Sequence, residues 1–119
     1  MKREDDFTTR RAHLAQLTDE QLKERFWRLT EQVVDPLLAL GFENTTPAIE
    51  RSVLLRMGFS SLEVAQIVSE CEERGLLGYG AGHAVYKLAK MKDISIREAG
   101  LALAEGKNWQ EVEAALKAV

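Results

Sequence analysis

Apolar side chains recur along this chain at steps of three and four, the period of a helix face. Nowhere do apolar and polar residues alternate singly for long enough to mark a strand. The clearest stripe is Leu22, Phe26, Leu29, Val33, Leu37 and Leu40. Thr18 is placed to cap its start, and Gln21 three residues later completes a capping box. Pro36 is expected to kink or break this segment, because proline lacks an N–H and its ring disfavours helical geometry at Asp35. Gly41 is expected to end it.

Five further helices follow from the same reasoning. One begins with Thr46 as cap and Pro47 in its first turn, with Ile49, Val53 and Met57 as its inward line and Gly58 as its stop. Ser60 and Glu63 form a capping box for the next, with Leu62, Ala65, Val68 and Cys71 facing inward and Gly75 closing it. Val85, Leu88 and Ala89 mark a shorter helix through Met91. Ser95 and Glu98 box the start of a helix carrying Ala99, Ala102 and Leu103. Asn108 and Glu111 open the last, whose line is Trp109, Val112, Leu116 and Val119. Capping signals and periodicity agree, so the fold class is all-α: a compact domain of about six helices. Residues 1–17 read as an N-terminal arm, ordered against something else, and 18–119 as a single helical domain.

Composition narrows the function classes. The 119 residues suit one domain, and a net charge of −3 does not favour polyanions such as DNA or RNA. The first residues carry charge but no apolar core of a signal peptide, and no apolar run approaches the roughly 20 residues of a membrane span. The expected location is therefore cytoplasmic. Cys71 has no partner for an internal disulfide and is expected as a small buried hydrophobe.

Catalytic patterns do not emerge. The two histidines, His13 and His83, lie far apart, and no Cys-x-x-Cys, His-Glu-x-x-His or Gly-x-Ser-x-Gly pattern occurs. Glu70, Glu72 and Glu73 read as a solvated helix end. The run from Gly78 to Gly82 looks like a phosphate loop, yet no strand precedes it and its spacing fits neither dinucleotide nor Walker loops. Its backbone reads as a helix-to-helix turn. Functionally, Gly78, Tyr79, Gly80, Gly82 and His83 are expected at a partner interface, with Tyr79 and His83 protruding and Phe7 of the arm as a further contact. No residue is assigned to catalysis, cofactor binding or metal binding.

Several long strings point to one family. Glu50–Val64 (ERSVLLRMGFSSLEV), Arg74–Lys87 (RGL-x-G-x-GAGH-x-VYK) and Arg97–Lys107 (REAGLAL-x-EGK) resemble the small, alpha subunits of D-ornithine 4,5-aminomutase. So do Lys2–Phe7, Arg10–Ala15 and Val34–Gly41, leaving only about the last ten residues loosely defined. The resemblance implies an accessory subunit of an enzyme that shifts the terminal amino group of D-ornithine from C5 to C4, giving 2,4-diaminopentanoate. It further implies radical chemistry by adenosylcobalamin and pyridoxal 5′-phosphate, both held by a large partner subunit, in a heterotetramer of two small and two large chains. A chain of this length is too short for a cofactor-bearing barrel of about 250 residues. It also departs from the Asp-x-His-x-x-Gly cobalt-ligating pattern of related mutases, with Ala81 two positions before His83 and Tyr86 three after.

Three other readings compete. Met57-Gly58-Phe59 before a capped helix is similar to the Met-Gly-Phe loop of ubiquitin-associated binding modules. Ser60–Arg74 would serve as one helix of a helix-turn-helix, against which stand the acidic balance and the lack of a basic recognition face. A free-standing small enzyme lacks any set of nucleophile, base and orienting group.

Overall fold

The computed structural model describes residues 1–118, so Val119, placed on the last inward line by periodicity, lies outside the described residues. Seven α-helices and one 3₁₀ turn, with no strand, make up the regular structure among those residues. They are α1 (Phe7–Arg11), α2 (Asp19–Asn44), α3 (Pro47–Arg56), α4 (Ser61–Glu73), α5 (Ala81–Lys92), α6 (Ile96–Ala104) and α7 (Trp109–Lys117), with the 3₁₀ turn at Leu77–Tyr79. None of these helices is long and apolar enough to cross a membrane. The helix beyond the expected six is α1, inside the arm.

Local chemistry sets the helix starts. The Thr18 and Gln21 box forms reciprocally: the Gln21 N–H donates to Thr18 Oγ1 at 3.2 Å and the Thr18 N–H to Gln21 Oε1 at 3.0 Å. Ser60 with Glu63 and Ser95 with Glu98 close in the same way, and Thr46 Oγ1 accepts from the Ile49 N–H. Asn108 departs from expectation. It takes a left-handed backbone, φ 65°, and its side-chain amide donates to Glu111 Oε1 at 3.0 Å instead of capping the backbone.

Four helix ends, those of α3 to α6, share one closure. The N–H of Phe59 donates to Leu54 O, Leu76 to Cys71 O, Ile94 to Ala89 O and Lys107 to Ala102 O. Each is the six-to-one bond of a Schellman turn, which satisfies carbonyls the helix leaves open. Pro36 and Gly41 lie inside α2, correcting the expected break and stop. Proline removes a single hydrogen bond, and the ladder closes instead at Asn44, whose side-chain amide donates to Leu40 O, just before the Thr46 cap.

The chain divides into two compact units, Met1–Leu38 and Ala39–Val119. The second contains every buried residue. Within it α5 is the hub, packing on α3, α6, α7 and, more lightly, α4. Its buried positions are small or medium, Ala81, Gly82, Ala84, Val85, Leu88 and Ala89, which lets neighbouring axes approach closely. Trp109 and Leu103 are fully enclosed large members of this core, and the Trp109 indole N–H donates to Leu103 O at 2.9 Å.

Two inward faces differ from the periodicity reading. On α4 the buried set is Val64, Ile67, Val68 and Cys71, whereas Leu62 is 82% exposed and Ala65 is exposed. The capping box puts Leu62 in the first turn, rotated away from the core. On α3 the buried residues are Glu50 and Leu54, while Ile49 is 52% exposed, Val53 is only partly covered, against Gly82 of α5, and Met57 is half-buried. A glutamate on the inward face hides that stripe from any hydrophobicity count.

Candidate partner interface

In the first unit, none of residues 1–38 is buried. α2 nonetheless carries Phe26 at 60%, Trp27 at 55%, Val33 at 66% and Leu37 at 61% exposure. At 100° per residue, Phe26, Leu29, Val33 and Leu37 make one row, and Trp27, Val34 and Leu38 make a second beside it. Together they cover about half the helix circumference, wider than the stripe a surface helix normally needs. Glu24, Arg28, Glu31 and Asp35 occupy the other side. The strip continues into the arm. Shallow apolar grooves run from Phe7 and Leu14 past Leu22 to Phe26 and Leu29, and on to Val33. Phe7 itself is 66% exposed, with the Arg11 guanidinium 5.6 Å from its ring centroid.

The glycine turn lies in the second unit. Gly80, at φ 92°, turns the chain into α5 in a conformation that a side chain would strain. A Cβ on Gly78 would fall 2.9 Å from the Phe42 ring, and one on Gly82 would fall 2.9 Å from Val53. These glycines therefore serve close packing inside the chain. Tyr79 is half-buried, its ring edge-on to Phe42 at 5.1 Å, so it does not protrude as expected. His83 is exposed, with Nδ1 3.2 Å from Tyr79 O. Of the expected contact residues, Phe7 and His83 present open side chains.

Glu50 is the residue that the sequence reading missed. It is 7% exposed, and one carboxylate oxygen accepts from the Ala81 N–H at 2.7 Å while the other accepts from Thr45 Oγ1. A carboxylate thus meets the positive end of α5, contributed from a different helix. No sequence spacing announces a cap that arrives from 31 residues away.

Phe59 answers the ubiquitin-associated alternative. The ring is 4% exposed, pressed against Gly100 of α6, with Arg97 over it at 5.5 Å from the centroid. Arg97 is held by two 2.8 Å bonds to Glu63. That bond and the Ser60 N–H keep the Glu63 carboxyl below its ordinary range. A Met-Gly-Phe loop whose phenylalanine is covered by its own chain offers no apolar docking surface there, so that reading is not favoured.

Glu50 is the one buried charged residue among those described, and its oxygens are already engaged. No cluster of three or more His, Cys, Asp or Glu side chains suited to a metal ion occurs among the described residues. Cys71 is fully enclosed, and burial, reinforced by the Glu50 and Glu70 charges, pushes its thiol up to about 12.

Residues 2–116 match the family described as D-ornithine 4,5-aminomutase alpha-subunit. The chain is 68% identical over 111 residues to the D-ornithine 4,5-aminomutase subunit alpha of Acetoanaerobium sticklandii, covering 93% of this chain and 92% of the relative.

Proposed function

The chain belongs to the D-ornithine 4,5-aminomutase alpha-subunit family, and on that premise we propose that it is the accessory subunit of such an enzyme. The complex converts D-ornithine to 2,4-diaminopentanoate in the cytoplasm. A large subunit holds the adenosylcobalamin and the pyridoxal phosphate, and two chains of each kind assemble together. This chain supplies folded support and leaves the chemistry to its partner.

The observation that supports this division is the state of the chain's own reactive groups. Glu50 is committed to Thr45 and Ala81, Cys71 is sealed in the core, and His83 stands exposed beside a backbone carbonyl. Two features support leaving both cofactors to the large subunit. Ala81 stands where the cobalt-ligating pattern has aspartate, and no lysine among those described is buried in a cavity where an imine would be shielded from water. No step of the reaction is therefore assigned to a side chain of this chain.

Reconstitution tests the reading. The purified chain and the large subunit are assayed alone and mixed, with D-ornithine and both cofactors present. Turnover is expected to depend on the mixture, with neither cofactor retained by this chain alone. Absence of a complex, or cofactor retention by the isolated chain, would overturn it.

A further inference from the structure

We propose that residues 19–38 of α2 are the element that docks into the large subunit, and that this stretch takes its stable helical form only there. The inference rests on the accessory-subunit reading and names the surface that it uses. Eight large apolar residues between Leu22 and Leu38 are more than a third exposed. With aromatic side chains at about 150–250 Å² and leucine and valine at or somewhat below the lower part of that range, their open area is on the order of 700 Å². That approaches the roughly 800 Å² that one partner contributes to a standard interface. It exceeds the roughly 300–600 Å² of the largest apolar patch on a typical monomer.

The shape of this surface selects the occupant. Pairing with a second copy of the helix would bury a narrow seam, Phe26, Leu29, Val33 and Leu37, and leave Trp27, Val34 and Leu38 in water. An apolar arc spanning about half the circumference fits a groove with two walls. The relative's own designation, subunit alpha, names a chain that assembles with another kind of chain.

The helix also lacks its usual support. Most helical stability in proteins comes from packing an apolar face rather than from intrinsic propensity. α2 buries no residue, includes Pro36, carries the adjacent β-branched pair Val33 and Val34, and bends a hydroxyl back from Thr30 to Phe26 O at 2.7 Å. Ordering that stretch on docking couples folding to assembly.

Hydrogen exchange read by mass spectrometry, on the full chain alone and in complex with the large subunit, tests both parts. Amides of residues 22–38 are expected to exchange nearly as fast as an unstructured peptide in the free chain and at least about 100-fold more slowly in the complex, while α5 stays protected in both. The double variant Val33→Glu, Leu37→Glu is expected to weaken complex formation at least about 100-fold with the melting of the chain unchanged. Full protection of 22–38 in the free chain would overturn the coupled folding. Wild-type affinity in the double variant would overturn the docking assignment, as would a free-chain dimer that the variant dissolves. If the unmodified chain forms no complex at all, the accessory reading fails together with this one.

Discussion

Replacing Gly100 with alanine separates two opposed physical effects. In an open helix position the change stabilises by about 1 kcal/mol, because glycine is the poorer helix former. At Gly100 the new Cβ would fall 2.1 Å from both Cε1 and Cζ of the Phe59 ring. Carbon atoms rest at about 3.5–4.0 Å, so the ring or α6 must move by roughly 1.5 Å. The ring has little freedom to do so. It is 4% exposed, and Arg97, anchored by two bonds to Glu63, lies over it. Overpacking of this kind costs about 1–3 kcal/mol, and the short contact to two ring atoms puts it at the upper end. Net of helix propensity, Gly100→Ala should destabilise by about 2 kcal/mol. For a unit of this size that lowers the melting temperature by about 8–16 °C, read from circular dichroism of the full chain. Adding Phe59→Leu should recover at least about 1 kcal/mol relative to additivity. A Gly100→Ala chain that melts at or above the wild type would refute the reasoning, because propensity alone would then account for it.

Three other outcomes follow from the same structure. Glu50→Ala should cost about 2–3 kcal/mol in urea unfolding by orphaning the Ala81 N–H, and Glu50→Gln, which keeps an acceptor, about half as much; equal stability of both with wild type would remove Glu50 as the α5 cap. Cys71 should resist thiol reagents at pH 8 until the chain is denatured. Because its folded value, about 12, lies above its ordinary 9.0, its contribution is complete below pH 9 and is lost as pH rises toward 12. Cys71→Ala should flatten that decline, by up to about 1.4 kcal/mol per pH unit. The Glu63, Glu98, Glu111 and Glu113 carboxyls are all held below 4.5, Glu63 chiefly by Arg97, Glu98 by the Ser95 backbone, Glu111 by Lys92 and Glu113 by Lys117. Their support is present above 4.5 and lost as pH falls through the lower folded values, and Arg97→Gln should raise the Glu63 titration seen by NMR.

The helix starts were legible because a capping box is a local object. Thr18 with Gln21, Ser60 with Glu63, and Ser95 with Glu98 each need three residues' separation and nothing else. Inward faces were harder, because they depend on what the helix meets. The α4 line Val64, Ile67, Val68 and Cys71 has ideal spacing, yet Leu62 and Ala65 offered a competing one. On α3 the buried glutamate made the true face look polar. The α2 stripe was visible as a pattern, but periodicity cannot say whether a face is covered by its own chain. Phe7 and His83 are open, as a contact surface requires, whereas the glycines of the turn answer to Phe42 and Val53. Nothing near Tyr79 in the chain announces that Phe42, 37 residues earlier, takes its ring.

The Glu50 cap also bears on how the chain is made. α5 is the hub of the second unit, and the carboxylate that closes its first turn belongs to α3. A ribosome releases Glu50 before Ala81, with roughly two to six seconds between them at ordinary synthesis rates. The acceptor is therefore waiting when the donor emerges. The reverse arrangement would leave a nascent α5 with an unmet N-terminus until later residues arrived. A circular permutant opened between α3 and α4, with a linker joining the native termini, would place Glu50 after Ala81, and its yield of folded protein during synthesis, compared with the native order, would measure what the order is worth.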